Sequence, residues 1–235
     1  MIYTFIFDVD GTITPMGLPI EYGMKNFLLR KLQNIKFYLI TGSCYQKTLG
    51  QVGNKLMNLA ESTFHCCGTK MYQKGEEVWS LNDKPDKEIY KYLQDYINNS
   101  DYPYKYGNHI VDRETMINFS VSGRNCPHHM RERYINYDYH TGERIKIKVG
   151  LESRFDVDVY LGGTLSVDIV PKGAGKHLSY YRMIGDYQFV FFGDRCFEGG
   201  NDQKMKEVVK SQGGIVHEVY DWTDTYDILK EKYLY

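Results

Sequence analysis

Three short apolar runs in this chain stop abruptly at residues suited to oxygen chemistry, and this repetition constrains the fold more than any other feature. Tyr3-Thr4-Phe5-Ile6-Phe7 ends at Asp8-Val9-Asp10-Gly11-Thr12, Ile35-Lys36-Phe37-Tyr38-Leu39-Ile40 at Thr41-Gly42-Ser43, and Gln188-Phe189-Val190-Phe191-Phe192 at Gly193-Asp194. Runs of this length and composition read as buried strands. Between them the pattern predicts strand over residues 2 to 7, helix over 20 to 34, strand over 35 to 40, helix over 45 to 58, a short strand over 62 to 65 and a hairpin over 70 to 79. Alternating strand and helix, with polar residues after each strand, predicts a parallel sheet flanked by helices and a ligand site at the strands' carboxyl ends.

The middle of the chain breaks that rhythm. A helix-like stretch spans 86 to 98, strand-like segments lie around 108 to 122, 156 to 160 and 164 to 170, and Pro85 and Asn98-Asn99-Ser100-Asp101 provide breaks. An inserted, mostly antiparallel α+β domain over 82 to 172 follows, with 1 to 81 and 173 to 235 forming a core domain that closes from both sides of the insertion.

Bulk properties exclude several functions. With 235 residues the chain holds one or two domains, and its 29 basic and 30 acidic residues leave a formal charge of −1. No global field therefore favours nucleic acid or an acidic membrane, and any phosphate site must be local. No apolar stretch approaches the roughly 20 residues that span a bilayer. Asp8 and Asp10 interrupt the only apolar run of the amino end, which is unlike a secretory signal, so a soluble, cytoplasmic protein is expected. Five cysteines without a CxxC pair argue against a disulfide framework and a zinc site. The 22 tyrosines are scattered rather than striped, which fits ordinary packing better than a platform for bases.

Asp8 and Asp10 lie on one side of an extended backbone, and like charges that close repel unless a cation or proton lies between them. An Asx-rich turn after a core strand is the ordinary alternative. Ser43, with the amides after the second run, offers groups for a phosphate oxygen, although such hydroxyls commonly cap the next helix. Lys176, after Gly173-Ala174-Gly175, offers a positive charge, although a lone lysine is usually a solvated surface group. Asp194, Asn201 and Asp202 sit in Gly193-Asp194-Arg195-Cys196-Phe197-Glu198-Gly199-Gly200-Asn201-Asp202, where hard oxygen ligands suit magnesium.

DxDGT, TGS, a downstream lysine and a final acidic loop, in that order, resemble the haloacid dehalogenase superfamily. The resemblance implies a Rossmannoid α/β core with a parallel sheet, an inserted α+β cap with an antiparallel sheet, and a nucleophilic first aspartate beside magnesium. Two further segments narrow it: Arg113-Glu114-Thr115-Met116-Ile117-Asn118-Phe119-Ser120-Val121-Ser122-Gly123-Arg124, with Arg131 seven residues on, and Gly162-Gly163-Thr164-Leu165-Ser166-Val167-Asp168-Ile169-Val170-Pro171. These resemble the cap of eukaryotic-type phosphomannomutases, which interconvert mannose 6-phosphate and mannose 1-phosphate. The resemblance runs over nearly the whole chain. It implies Asp8 as nucleophile and Asp10 as general acid and base. The implied magnesium ligands are Asp8, the Asp10 carbonyl and Asp194, with Asn201 and Asp202 completing the loop. Arg113, Arg124 and Arg131 would hold a distal phosphate, with Asn118, Ser166 and Asp168 near the sugar. Glucose 1,6-bisphosphate or mannose 1,6-bisphosphate would be the activator, and a homodimer would form through the cap.

The chain departs from the family pattern in places. Gly17 stands where the family usually has arginine, Cys66-Cys67-Gly68 replaces E-N-G, Gly173-Ala174-Gly175-Lys176 replaces G-W-D-K, and Arg195 replaces lysine. These changes bear on substrate fit and water exclusion, so a sugar-phosphate phosphatase on the same scaffold is the main alternative. Retention of three cap arginines favours the mutase, because a second phosphate clamp is most useful when the substrate or intermediate carries two phosphates. A catalytically silent binding module is a third reading; it would be expected to have lost Asp8, Asp10 or Asp194, and all three are present.

Overall fold

A computed structural model describes residues 3–184 and 188–234. The first residue of the strand expected over 2 to 7 lies outside them. Contacts divide the chain into two units, one of residues 1–80, 175–198 and 202–235, the other of 81–174 and 199–201.

The first unit is built on β1 (Tyr3–Asp8), β2 (Phe37–Ile40), β3 (Ser62–His65), β4 (Lys70–Gln73), β5 (Glu76–Ser80), β10 (Gln188–Gly193) and β11 (Ile215–Glu218), in the order β11-β10-β1-β2-β3-β4-β5. From β11 to β3 the pairing is parallel; β4 and β5 are antiparallel. Side chains alternate across a strand. Phe5, Phe7, Phe37, Leu39, Val190 and Phe192 therefore enter one core, with Met24, Phe27 and Leu28 of α1 (Tyr22–Lys31) and Leu56 of α3 (Asn54–Leu59). Ile6, Tyr38, Ile40, Phe64, Phe189 and Phe191 enter another, with Met205 and Val209 of α7 (Gln203–Ser211). Burial on both faces is why the runs are apolar throughout.

In register, Phe7 faces Phe192 and Asp8 faces Ile40. This brings Asp8, the TGS segment and Asp194 to one edge of the sheet. The single helix expected over 45 to 58 is two, α2 (Tyr45–Val52) and α3, because the chain leaves helical geometry at Gly53, φ 82°. The carboxy-terminal segment adds α8 (Trp222–Ile228).

The second unit has an antiparallel sheet of order β6-β7-β9-β8, formed by β6 (Ile110–Asp112), β7 (Ile117–Phe119), β8 (Val157–Gly162) and β9 (Ser166–Pro171). The strand-like stretch over 108 to 122 is divided by a turn in which Glu114 takes a positive φ of 69°. Ile89, Leu93 and Ile97 of α4 (Glu88–Asn99), at four-residue spacing, pack with Ile117, Phe119, Val167 and Ile169. Asn118, Ser166 and Asp168 occupy the alternate positions and hence the other face of the sheet. Two helices of this unit were not read from sequence, α5 (His128–Thr141) and α6 (Glu143–Glu152). Only Met130 and Tyr134 of α5 are buried, so its polar sequence carries little periodic signal. Residues 199–201 join this unit through the bridge of Leu161 to Gly200, so Asn201 groups with it rather than with the core domain expected from sequence.

Candidate active site

Asp8, at the end of β1, is 3% exposed. Its Oδ1 accepts from Lys176 Nζ at 2.6 Å and its Oδ2 from Thr12 Oγ1 at 3.0 Å. Lys176 Nζ also donates to Asp202 Oδ1 at 2.8 Å, and Asp202 Oδ2 accepts from the Arg195 N–H at 3.1 Å. Lys176 is not the surface lysine of the ordinary alternative: its side chain is 1% exposed. Asp194 Oδ2 lies 2.9 Å from Arg195 Nε in an ion pair that lacks hydrogen-bond alignment, and its buried Oδ1 has no hydrogen-bond partner.

Oxygens of Asp8, Asp194 and Asp202 all lie within 4.8 Å of one another. Asp8 and Asp202 thus share one buried ammonium, while Asp194 beside them pairs with Arg195. Burial would lower the pKa of Lys176, but Asp202 and Asp8 outweigh it and hold the ammonium charged. Burial raises the pKa of Asp8; Lys176 opposes this, Asp202 and Asp194 add to it, and the result is well above the usual carboxylate value. Asp194 is pushed up to about 6 by burial and by Asp202. A buried site short of positive charge, lined by hard oxygens with one oxygen unpartnered, fits a divalent cation such as Mg2+.

Two glycines permit this packing. A Cβ on Gly11, φ 90°, would lie 2.7 Å from Asp194 Oδ2. A Cβ on Gly68, φ 80°, would lie 3.0 Å from Lys176 Cα and 3.1 Å from Gly175 O. The loop before Gly68 holds two non-glycine residues in left-handed geometry, Cys66 (φ 52°) and Cys67 (φ 57°), with N–H groups donating to Ser43 O and Thr41 O at 3.0 Å each. Single left-handed positions of this kind cost of order 1–3 kcal/mol and persist where their surroundings fix them. The five cysteines form no disulfide.

Asp10 has a different environment. Its Oδ1 accepts from Gln51 Nε2 at 2.7 Å and the Gly17 N–H at 3.0 Å; its Oδ2 accepts from Ser43 Oγ at 3.1 Å and Lys47 Nζ at 3.2 Å. Burial raises its pKa, but Lys47 and the hydrogen bonds from Gln51, Lys47 and Gly17 outweigh it, leaving the carboxyl below its usual value. The two aspartates that look equivalent in sequence are driven in opposite directions. Lys47, Gln51, Thr12 and the Gly17 amide were not assigned from sequence. The signal for two of them was there: Ser43, Lys47 and Gln51 recur at intervals of four.

In the second unit Asn118 Nδ2 donates to Asp168 Oδ1 at 2.6 Å and Ser166 Oγ at 3.1 Å, and Asn118 Oδ1 accepts from Arg124. Asn118 opposes Asp168 in the β7–β9 register, so four residues chosen from separate segments form one polar cluster. Arg113 lies in the turn after β6, its N–H donating to Met116 O at 2.9 Å. Arg131, on α5, has a buried Nε with no hydrogen-bond partner, as has Asn201 Oδ1.

Among solved structures, the chain resembles the carboxy-terminal domain of Candida albicans trehalose-6-phosphate phosphatase, with a TM-score of 0.62 at 15% identity, covering 94% of this chain and 80% of that one. It also resembles an IMP-bound Plasmodium falciparum IMP-nucleotidase, with a TM-score of 0.59 at 13% identity, covering 97% and 67%. The sheet order, the inserted antiparallel unit and these likenesses define a haloacid dehalogenase-like α/β fold. Sequence narrows the class. The profile of eukaryotic phosphomannomutase matches residues 24–234. A phosphomannomutase of Babesia bovis is 33% identical over 96% of both chains, and one of Arabidopsis thaliana 30% identical over 90% of this chain and 89% of its own. The chain belongs to the eukaryotic phosphomannomutase family and is an enzyme of that class. Among the described residues no helix is long and apolar enough to cross a membrane.

Proposed function

We propose that the protein interconverts mannose 6-phosphate and mannose 1-phosphate by way of a phosphoryl group carried on Asp8, with Mg2+ and a hexose 1,6-bisphosphate activator. The observation that carries this reading is the buried Asp8 carboxyl held by Lys176 and Thr12 beside Asp194 and Asp202.

Burial holds the Asp8 carboxyl well above its usual pKa and Lys176 and Thr12 replace only part of its lost hydration, so its attacking oxygen needs little further desolvation before reaction. That oxygen bonds to phosphorus as the bond from phosphorus to the sugar oxygen breaks, leaving an acyl phosphate on Asp8. Asp10, held as the carboxylate by Lys47, Gln51 and Gly17, gives the departing sugar oxygen the proton it takes from the attacking hydroxyl in the other half of the cycle. In the second half a sugar hydroxyl attacks phosphorus, Asp10 takes its proton, and the bond to Asp8 breaks. Lys176 offsets the repulsion between carboxylate and phosphate, and Asp202 holds Lys176. Asp8, the Asp10 carbonyl and Asp194 would bind Mg2+, whose contribution when bound is to neutralise charge on the phosphoryl oxygens; Asp202 and Asn201 complete the loop. Arg113, Arg124 and Arg131 are proposed to hold the sugar's other phosphate, with Asn118, Ser166 and Asp168 on its hydroxyls.

The test supplies mannose 1-phosphate, Mg2+ and catalytic glucose 1,6-bisphosphate and measures mannose 6-phosphate and inorganic phosphate together. Isomer without phosphate is expected, and Asp8→Asn should abolish it with the fold intact. Phosphate release that ignores the activator would identify a phosphatase instead.

A further inference from the structure

One face of α2 is committed to a single carboxyl. Ser43, just ahead of the helix, Lys47 and Gln51 follow at intervals of four and hence share a side, and all three donate to Asp10. Lys47 does more than pair with it. Its Nζ also donates to Ser43 Oγ at 2.9 Å. An ammonium donates only, so it occupies a serine lone pair and leaves the hydroxyl proton directed at Asp10 Oδ2, 3.1 Å away. The ammonium thus locks two groups at once, which neither an amide nor a hydroxyl in its place would do with charge. The helix does not need Lys47 for its own packing, since Thr48, Gln51 and Val52 are its buried residues and the Lys47 side chain is 38% exposed.

We propose that Lys47 is a positioning residue for phosphoryl transfer: it holds the Asp10 carboxyl and the Ser43 hydroxyl in one orientation on the rigid frame of α2. The proposal rests on Asp10 exchanging a proton with the sugar oxygen. Without Lys47, Oδ1 keeps Gln51 and the Gly17 amide, while Oδ2 keeps only a serine whose hydroxyl is free to turn. The carboxyl plane is then held firmly at Oδ1 but at Oδ2 only by a donor whose direction nothing fixes. Misplacement of a reacting group by about 1 Å costs roughly 100-fold in rate, so even a partial loss of aim is measurable. Because Lys47 acts through groups already bound to the protein, its removal changes turnover and not substrate affinity.

The experiment measures kcat and KM for mannose 1-phosphate in the wild type, Lys47→Met and Lys47→Gln, with unfolding midpoints beside them. The glutamine variant retains a donor and a polar stem should methionine disturb the fold. It also measures single-turnover phosphorylation of the enzyme by glucose 1,6-bisphosphate, with and without Asp10→Asn. The expected result is a kcat at least fivefold lower with KM within twofold, and no further loss from Lys47→Met once Asp10 is asparagine. A kcat less than fivefold lower, a loss carried by KM, or the same loss in the Asp10→Asn background overturns the proposal while leaving the functional reading in place. A wild type that forms neither isomer nor phosphate refutes the functional reading itself, and the role of Lys47 with it.

Discussion

Replacing Lys176 by methionine removes the one ammonium that Asp8 and Asp202 share, at 2.6 and 2.8 Å, from a place where the side chain is 1% exposed. Deleting one partner of a buried ion pair costs about 3–5 kcal/mol, because the remaining charge has neither water nor a counterion. For a chain of this size that lowers the thermal midpoint by about 6–20 °C. The loss should depend on pH, with a definite sign. Lys176 lowers the pKa of Asp8 and of Asp194, so removing it raises both further, Asp194 starting from about 6. Unfolded aspartates titrate near 4. Between about pH 4 and the raised folded values the folded variant binds more protons than the unfolded chain, so its stability falls as pH rises through that window. Denaturant unfolding of wild type and Lys176→Met at pH 5 and pH 8 checks this. The deficit should be largest at pH 8 and clearly smaller at pH 5. A variant as stable as wild type at pH 8, or a deficit equal at the two pH values, would refute the argument that one lysine balances the buried carboxylates.

Other predictions follow from single contacts. Gly68→Ala places a methyl 3.0 Å from Lys176 Cα at a φ of 80°, so it should cost about 1–3 kcal/mol and depress kcat, read from unfolding and steady-state kinetics. Asn118→Ala removes the 2.6 Å donor to the buried Asp168, which should cost about 1–3 kcal/mol and raise KM for mannose 1-phosphate; unchanged values of both would contradict its place in sugar binding. Mg2+ at about 100 times its Kd should add about 2.7 kcal/mol of stability. Chelation should remove that gain and Asp194→Asn should reduce it in a thermal melt, because Asp194 carries the buried oxygen without a hydrogen bond.

Lys176 illustrates what sequence alone conveys. Its position after Gly173-Ala174-Gly175 made it a candidate, but an isolated lysine is usually solvated; its burial and its two carboxylates exist only in the folded chain. β1, β2 and β10 were legible because strands buried on both faces must be apolar throughout, and their polar ends marked the edge where the site lies; β11, only partly buried, was not. α5 was not legible, since a helix that buries only Met130 and Tyr134 leaves almost no periodic trace. The recurrence of Ser43, Lys47 and Gln51 was visible, but nothing local says that they meet Asp10, 33, 37 and 41 residues away from it in the chain.

By itself, then, the sequence determined the strand and helix alternation of residues 2 to 79 and the strand over 188 to 192, the antiparallel insertion, the family, and the candidate residues, all of them properties of short stretches or ordered motifs. Tertiary structure decided which candidates meet. Pairing of Phe7 with Phe192 sets Asp8 beside Asp194, and pairing of Asn118 with Asp168 builds the polar cluster of the second unit. It also decided how alike residues differ. Asp8 and Asp10 are two positions apart, yet one is buried among carboxylates that raise its pKa and the other is held below its usual value by Lys47, Gln51 and Gly17. Charge and burial at a point in space sum contributions from distant parts of the chain, so no local pattern contains them.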